Sequence, residues 1–133
     1  KRVEQGEGPE RVISEKEAQR QAAALIEKET YEEAIAIIEK VERQHQGLED
    51  ETKRLKDLAV EKIINRDRNR AARLFLQAKD TQDHLKKKEL LESSLHILKQ
   101  LVEKYPSSSM NKKINSHIAI IEEELEKLRG DSG

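Results

Sequence analysis

Cysteine and tryptophan are both absent from the 133 residues, and the aromatic complement is only Tyr31, Phe75 and Tyr105. Without cysteine there is no disulfide framework, no thiol nucleophile and no thiolate metal site, and the compartment stays open. The scarcity of aromatic and β-branched runs argues against strands. Glycine occurs five times and proline twice, mostly towards the ends, so long stretches carry no helix breaker. No apolar run approaches the ~20 residues that a bilayer span requires.

What is present is charge. Asp, Glu, Lys and Arg make up 40% of the chain against 35% hydrophobic residues, yet the net charge is only -1. A highly charged chain poor in aromatics can stay unfolded. Here the charges balance and the apolar residues recur at helical spacing, so a folded, all-α chain of about five helices is expected. Its length fits one modest core. The expected organisation is a flexible tail over 1–13, one helical domain over 14–129 and a frayed end over 130–133. The chain opens on Lys1 rather than methionine, which reads as loss of a leading segment by truncation or by processing of a signal or anchor.

Residues 1–13 carry Gly6, Gly8 and Pro9 without periodicity. Gly6 and Gly8 lack the preceding strand and following Lys-Ser/Thr of a phosphate loop, which leaves a linker. Ser14 and Glu17 have the form of a capping box. They open a first helix to about Lys28 with Ala18, Ala22, Leu25 and Ile26 on one face. Thr30 to Glu33 repeats the box and opens a second helix, with Ala34, Ile35, Ile38 and Val41 inward and Gly47 as its stop. The short connection makes these two an antiparallel hairpin.

A third helix is expected from Asp50 to Asp80, about 45 Å long at 1.5 Å per residue. Its first apolar stripe is Leu55, Leu58, Ala59, Ile63 and Ile64, and its second is Ala71, Leu74, Phe75 and Ala78. The stripe fades between Asn65 and Arg70, where the helix overhangs the core or bends. Asp83 or Thr81 caps a fourth helix carrying Leu91, Ser94, Leu95, Leu98, Leu101, Val102 and Tyr105, with Leu95 and Leu98 at the centre of the core and Pro106 at the end. Serines 107–109 cap a fifth helix with a seam of Ile114, Ile118, Ile121, Leu125 and Leu128, ending at Gly130.

Two hairpins and a final helix resemble a short array of tetratricopeptide repeats. In the first unit, Tyr31-Glu32-Glu33-Ala34-Ile35 is similar to the opening of the family's helix B. Ile38 and Val41 stand at the aromatic and second alanine positions. Ala22 matches the small residue of helix A, Leu25 takes the tyrosine position, Ala18 replaces tryptophan and Gln46 replaces proline. In the second unit, Ser94, Leu98 and Leu101 follow the same spacing, and Tyr105-Pro106-Ser107 resembles the closure of bacterial repeats. Its helix A, Leu74 through Ala78, aligns with about four residues inserted in the Thr81–Lys88 turn. The family's tryptophan and glycine are missing from both units. The resemblance spans residues 15–107 and implies a TPR-like short solenoid whose last helix is a cap. It also implies a protein-binding role of the kind found in bacterial envelope lipoproteins and assembly factors, and by that analogy a place in the cell envelope or periplasm.

No catalytic pattern is visible. His45, His84, His96 and His117 fall on different elements, and none forms H-E-x-x-H or pairs with another histidine at i, i+4. The Glu122–Glu124 run lacks the E-x-x-H pairs of di-metal bundles. It reads, with Glu89 and Glu92, as solvated face. No nucleophile elbow, phosphate loop or dinucleotide fingerprint occurs.

The charge distribution is the one feature beyond fold. Residues 53–88 hold 12 Lys/Arg against 5 Asp/Glu, a net of +7, and the rest nets -8. Arg66, Arg70 and Arg73 share a helical face at steps of four and three, with Arg68 beside them. Guanidinium clusters suit carboxylates and phosphates. The patch has no interleaved aromatics, which disfavours nucleic acid and favours an acidic peptide or protein surface. Solvated arginines paired with acids of the second or fifth helix are the plain alternative.

The reading is therefore a non-catalytic interaction module, with no cofactor, no metal, no small-molecule substrate and Arg66, Arg68, Arg70 and Arg73 as its partner-binding residues. Membrane contact would come only through an N-terminal lipid anchor. The alternatives are a bundle that self-associates through the seam of the fifth helix, and a nucleic-acid-binding module.

Overall fold

The computed structural model describes residues 12–132, with side chains through 130. Five helices run in order: α1 (Glu15–Glu27), α2 (Tyr31–Gln44), α3 (Asp50–Asp80), α4 (His84–Lys104) and α5 (Asn111–Ser132). No strand occurs among the described residues. The all-α architecture of adjacent helical hairpins follows, with α1 against α2 and α4 against α5. The contacts group the chain into two compact units that meet between Lys62 and Ile63, inside α3. The expectation from the sequence is one helical domain over 14–129. Its expected tail over 1–13 lies outside the described residues up to residue 11.

The first unit packs through small side chains. Ala18, Ala22 and Ala34 are wholly buried with Ile38 and Val41, and α1 packs against α2. Leu25 and Ile26 are only half-buried. From α3, Leu55 and Ala59 are buried as the stripe predicts, and Thr52 joins them. Thr52 Oγ1 donates to Glu15 Oε2 at 2.6 Å and accepts from Gln19 Nε2 at 2.9 Å. Glu15 also accepts the Glu49 backbone N–H, so a side chain of α1 satisfies a donor at the start of α3. These bonds hold the Glu15 carboxyl below its ordinary range.

The turn between α1 and α2 is a Schellman motif. Glu29 N–H donates to Ile26 O at 3.0 Å and Thr30 N–H to Leu25 O at 2.9 Å. The motif needs a left-handed residue, and Glu29 supplies it with φ 64°. The second capping box does not form. Thr30 makes no side-chain cap, and its hydroxyl instead donates to Leu25 O at 2.9 Å. The first is half made, with Ser14 Oγ accepting from Glu17 N–H at 3.0 Å. Gly47 is not the stop of α2, which ends three residues earlier with His45 in an extended conformation. Ile13 is tied to that end. Its N–H donates to Gln44 Oε1 at 3.4 Å, and its carbonyl lies 3.3 Å from His45 Nε2.

In the second unit, Ala71 and Ala78 of α3 are buried with Leu91, Ser94, Leu98 and Leu101 of α4 and Ile114 and Ile121 of α5. Leu98 is wholly buried, but Leu95 is half-buried because the inward line of α4 runs 91, 94, 98, 101. Ser94 belongs to that line because its hydroxyl donates to Ala71 O at 2.7 Å, satisfying a buried polar group against the neighbouring helix. Asp83 caps α4 by accepting from Leu85 N–H at 2.9 Å and Lys86 N–H at 3.2 Å. Only residues 81–83 separate α3 from α4, and residues 84–88, expected as part of a turn over Thr81–Lys88, belong to α4. Tyr105 is the C-cap before Pro106. Asn111 Nδ2 then donates to the carbonyls of Tyr105 and Pro106. Gly130 does not end α5, which continues to Ser132. No glycine among the described residues has positive φ, so neither Gly47 nor Gly130 acts as a left-handed cap.

Candidate functional site: the arginine face of α3

The stretch from Asn65 to Arg70, where the apolar stripe fades, is helical throughout. Arg66, Arg70 and Arg73 recur on one face of α3. Arg73 is exposed. Arg66 and Arg70 converge on one carboxylate of the same helix: Arg66 Nε lies 3.0 Å and Arg70 Nη1 3.3 Å from Asp67 Oδ1. The Asp67 side chain is 17% exposed and that of Arg70 53%. One acid is thus held beneath two guanidinium groups whose outer edges reach solvent. That arrangement fixes the arginines' geometry and offsets the repulsion expected of like charges at i, i+4.

Arg68 does not join this face. Two residues along an α-helix turn it by about 200° from Arg66, onto the side that carries Phe75. There its charge acts on His117 of α5. Burial first, and Arg68 second, lower the His117 pKa, so the imidazole is held neutral. The His117 ring meets Phe75 edge-on, with centroids 5.4 Å apart at 84°, and Lys79 Nζ sits 5.3 Å from the Phe75 ring centre. His117 is therefore spent on packing. His84 and His96 are exposed, and His45 contacts the backbone of Ile13.

Among the described residues, no group of three or more His, Asp or Glu comes together as a metal site would require. No helix there is long and apolar enough to cross a membrane. Comparison with family models, curated proteins and solved structures gives no match.

One surface was not anticipated. Leu85, which is not among the apolar residues that spacing assigns to the fourth helix, lies in the first turn of α4 and is 66% exposed. It faces Leu125 and Leu128, which the sequence assigned to the seam of α5. The signal was the Lys86-Lys87-Lys88 run at a helix start, where basic residues oppose the macrodipole.

Proposed function

We propose that this chain is a non-catalytic protein-interaction module that engages an acidic surface of another protein through Arg66, Arg70 and Arg73. The observation that carries the reading is the shared Asp67 between Arg66 and Arg70, which pairs two guanidinium groups that still reach solvent, Arg70 with 53% of its side chain exposed. Ordered guanidinium groups lose less freedom on meeting carboxylates, and they bind them bidentately. No cofactor is part of this reading. The TPR-like family assignment belongs to the same proposal. It is supported by the burial of Ala22, Ala34 and Ser94, the small-residue positions of the repeat pattern. A role in bacterial envelope assembly extends that assignment by analogy alone.

The test is the triple variant Arg66→Glu, Arg70→Glu, Arg73→Glu, checked by circular dichroism, in capture from native lysate beside the wild type. Proteins retained by the wild type and lost by the folded variant support the reading. Retention of every partner refutes it. Self-association through the α5 seam has a specific difficulty, because Ile114 and Ile121 are already buried within their own unit. Sedimentation equilibrium decides that alternative, and the salt dependence of binding to DNA or RNA decides the nucleic-acid one.

A further inference from the structure

The α4–α5 hairpin carries a groove that neither the core nor the arginine face uses. It has a volume of about 540 Å³ and is lined by His84, Leu85, Lys88 and Glu92 from α4 and by Leu125, Leu128 and Arg129 from α5. Its floor is apolar. Leu85 is largely exposed, and Leu125 and Leu128 are half-buried, although Ile114 and Ile121 earlier in the same seam are covered completely. The apolar seam of α5 is thus only partly covered by its own unit at Leu125 and Leu128, as it is at Ile118.

The shape suits a helix. Leu85, Lys88 and Glu92 recur at i, i+3 and i+7, and Leu125, Leu128 and Arg129 at i, i+3 and i+4. Two such rows on neighbouring helices bound a trough that accepts the ridge of a third helix. The charge selects the kind of helix. Lys88 and Arg129 line it against the single carboxylate of Glu92, and Lys86 and Lys87 stand in the same turn as Lys88. Lys88 and Arg129 can lay their aliphatic stems along the floor and hold their charges at the rim. Arg129 also meets Glu126 at 3.4 Å, a pair exposed on both sides and therefore weak. The first turn of α4 contains no acid, so the lysines oppose the dipole of their own helix. The one acid at this helix start, the N-cap Asp83, is engaged with the backbone N–H groups of Leu85 and Lys86.

We propose that this groove docks an amphipathic, acidic helix of another protein. Its apolar ridge lies on Leu85, Leu125 and Leu128, and its carboxylates meet Lys88 and Arg129. The inference rests on the reading of the chain as an interaction module and names a partner class for it. A second copy of the chain is disfavoured as occupant, because pairing the groove with itself brings like-charged rims together.

The probe is a fluorescein-labelled synthetic helix of about five turns, with leucines along one stripe and glutamates on its flanks. Its twin carries lysine in place of every glutamate. Anisotropy titration against the full chain should show saturable binding of the glutamate peptide and none of the lysine twin. Leu85→Ser and Lys88→Glu, both at exposed positions, should leave the circular dichroism unchanged and each weaken binding about tenfold. Failure of the glutamate peptide to bind overturns the proposal. Equal binding of the twin, or binding that survives both substitutions, does the same. So does a dimer in sedimentation that Leu85→Ser dissolves. If lysate capture is still lost in the Arg66/Arg70/Arg73 variant, only the groove inference falls; if capture too is unaffected, the interaction-module reading falls with it.

Discussion

Glu29 is the residue whose replacement should stabilise this protein most directly. It closes the Schellman turn between α1 and α2 at φ 64°, a conformation in which Cβ crowds the following carbonyl. That crowding costs an L-residue about 1–2 kcal/mol, and glycine escapes it. Glycine also gives the unfolded chain more freedom, which takes back about 0.4–1 kcal/mol. The carboxylate contributes little to the difference. It stands between the negative end of α1 and the positive end of α2, so the two dipole effects oppose each other. Glu29→Gly should therefore stabilise the protein by about 0.5–1 kcal/mol, or raise its melting temperature by about 3 °C.

Urea titration followed at 222 nm measures this directly, with Glu29→Ala as the control that removes the charge but keeps Cβ. The alanine variant should stay near wild type, and Glu29→Asn should fall between it and glycine, because asparagine tolerates the left-handed region. If Glu29→Gly is less stable than wild type, the backbone argument is wrong. If Glu29→Ala gains as much as glycine, the effect was electrostatic.

Leu98 is wholly buried, so Leu98→Ala should lose about 2–5 kcal/mol in the same assay, and a loss below half of one would show that the core of the second unit lies elsewhere. Because the folded state holds the Glu15 carboxyl below its ordinary pKa of 4.5, its contribution is present above that value and is lost as pH falls through the folded pKa. Glu15→Ala should thus be less stable than wild type at pH 7, and the gap should close below pH 4.5; a gap independent of pH would mean that the carboxylate's bonds to Thr52 and Glu49 do not matter. His117 is held neutral by burial and by Arg68, so Arg68→Gln should raise its titration midpoint by NMR, and Phe75→Ala, which opens the site, should raise it further. The reverse order would put the charge ahead of desolvation.

The buried faces were legible because period 3.6 marks them wherever a helix packs on one side. Ala18, Ala22, Ala34, Ile38, Val41, Leu91, Leu98 and Ile121 all fall where spacing placed them. What spacing cannot reveal is how a helix stops. Residue type pointed to Gly47 and Gly130, yet the left-handed turn falls on Glu29, because that is where the α1–α2 connection has to reverse. A hairpin with residues 28–30 between its helices imposes this geometry on whatever side chain occupies the position. Thr30 likewise has the composition of a capping box, but the Schellman turn draws its hydroxyl back to Leu25 O. Glu15 is one of several acids near the start of α1 and nothing in the local sequence sets it apart. Its role at the start of α3 depends on a tertiary approach that no local motif encodes.

The arginine cluster shows the same limit in the candidate site. Counting charges over residues 53–88 gives a net of +7, but a count carries no angle. Once the helix is wound, Arg68 turns to the Phe75 side, and Asp67 takes two of the remaining three arginines as ion-pair partners. The arginine face is therefore more ordered and less positive than the sequence implied. The lysines that open α4 behave differently. The only acid at their helix start is the N-cap Asp83, which is bonded to backbone N–H groups, their helix dipole opposes them, and Leu85 stands exposed among them. Of the two basic surfaces, the one that works against local stability is the one bordered by uncovered apolar area. An amphipathic acidic helix would act on both conditions in a single binding event, covering Leu85 and bringing carboxylates to the lysines that follow it.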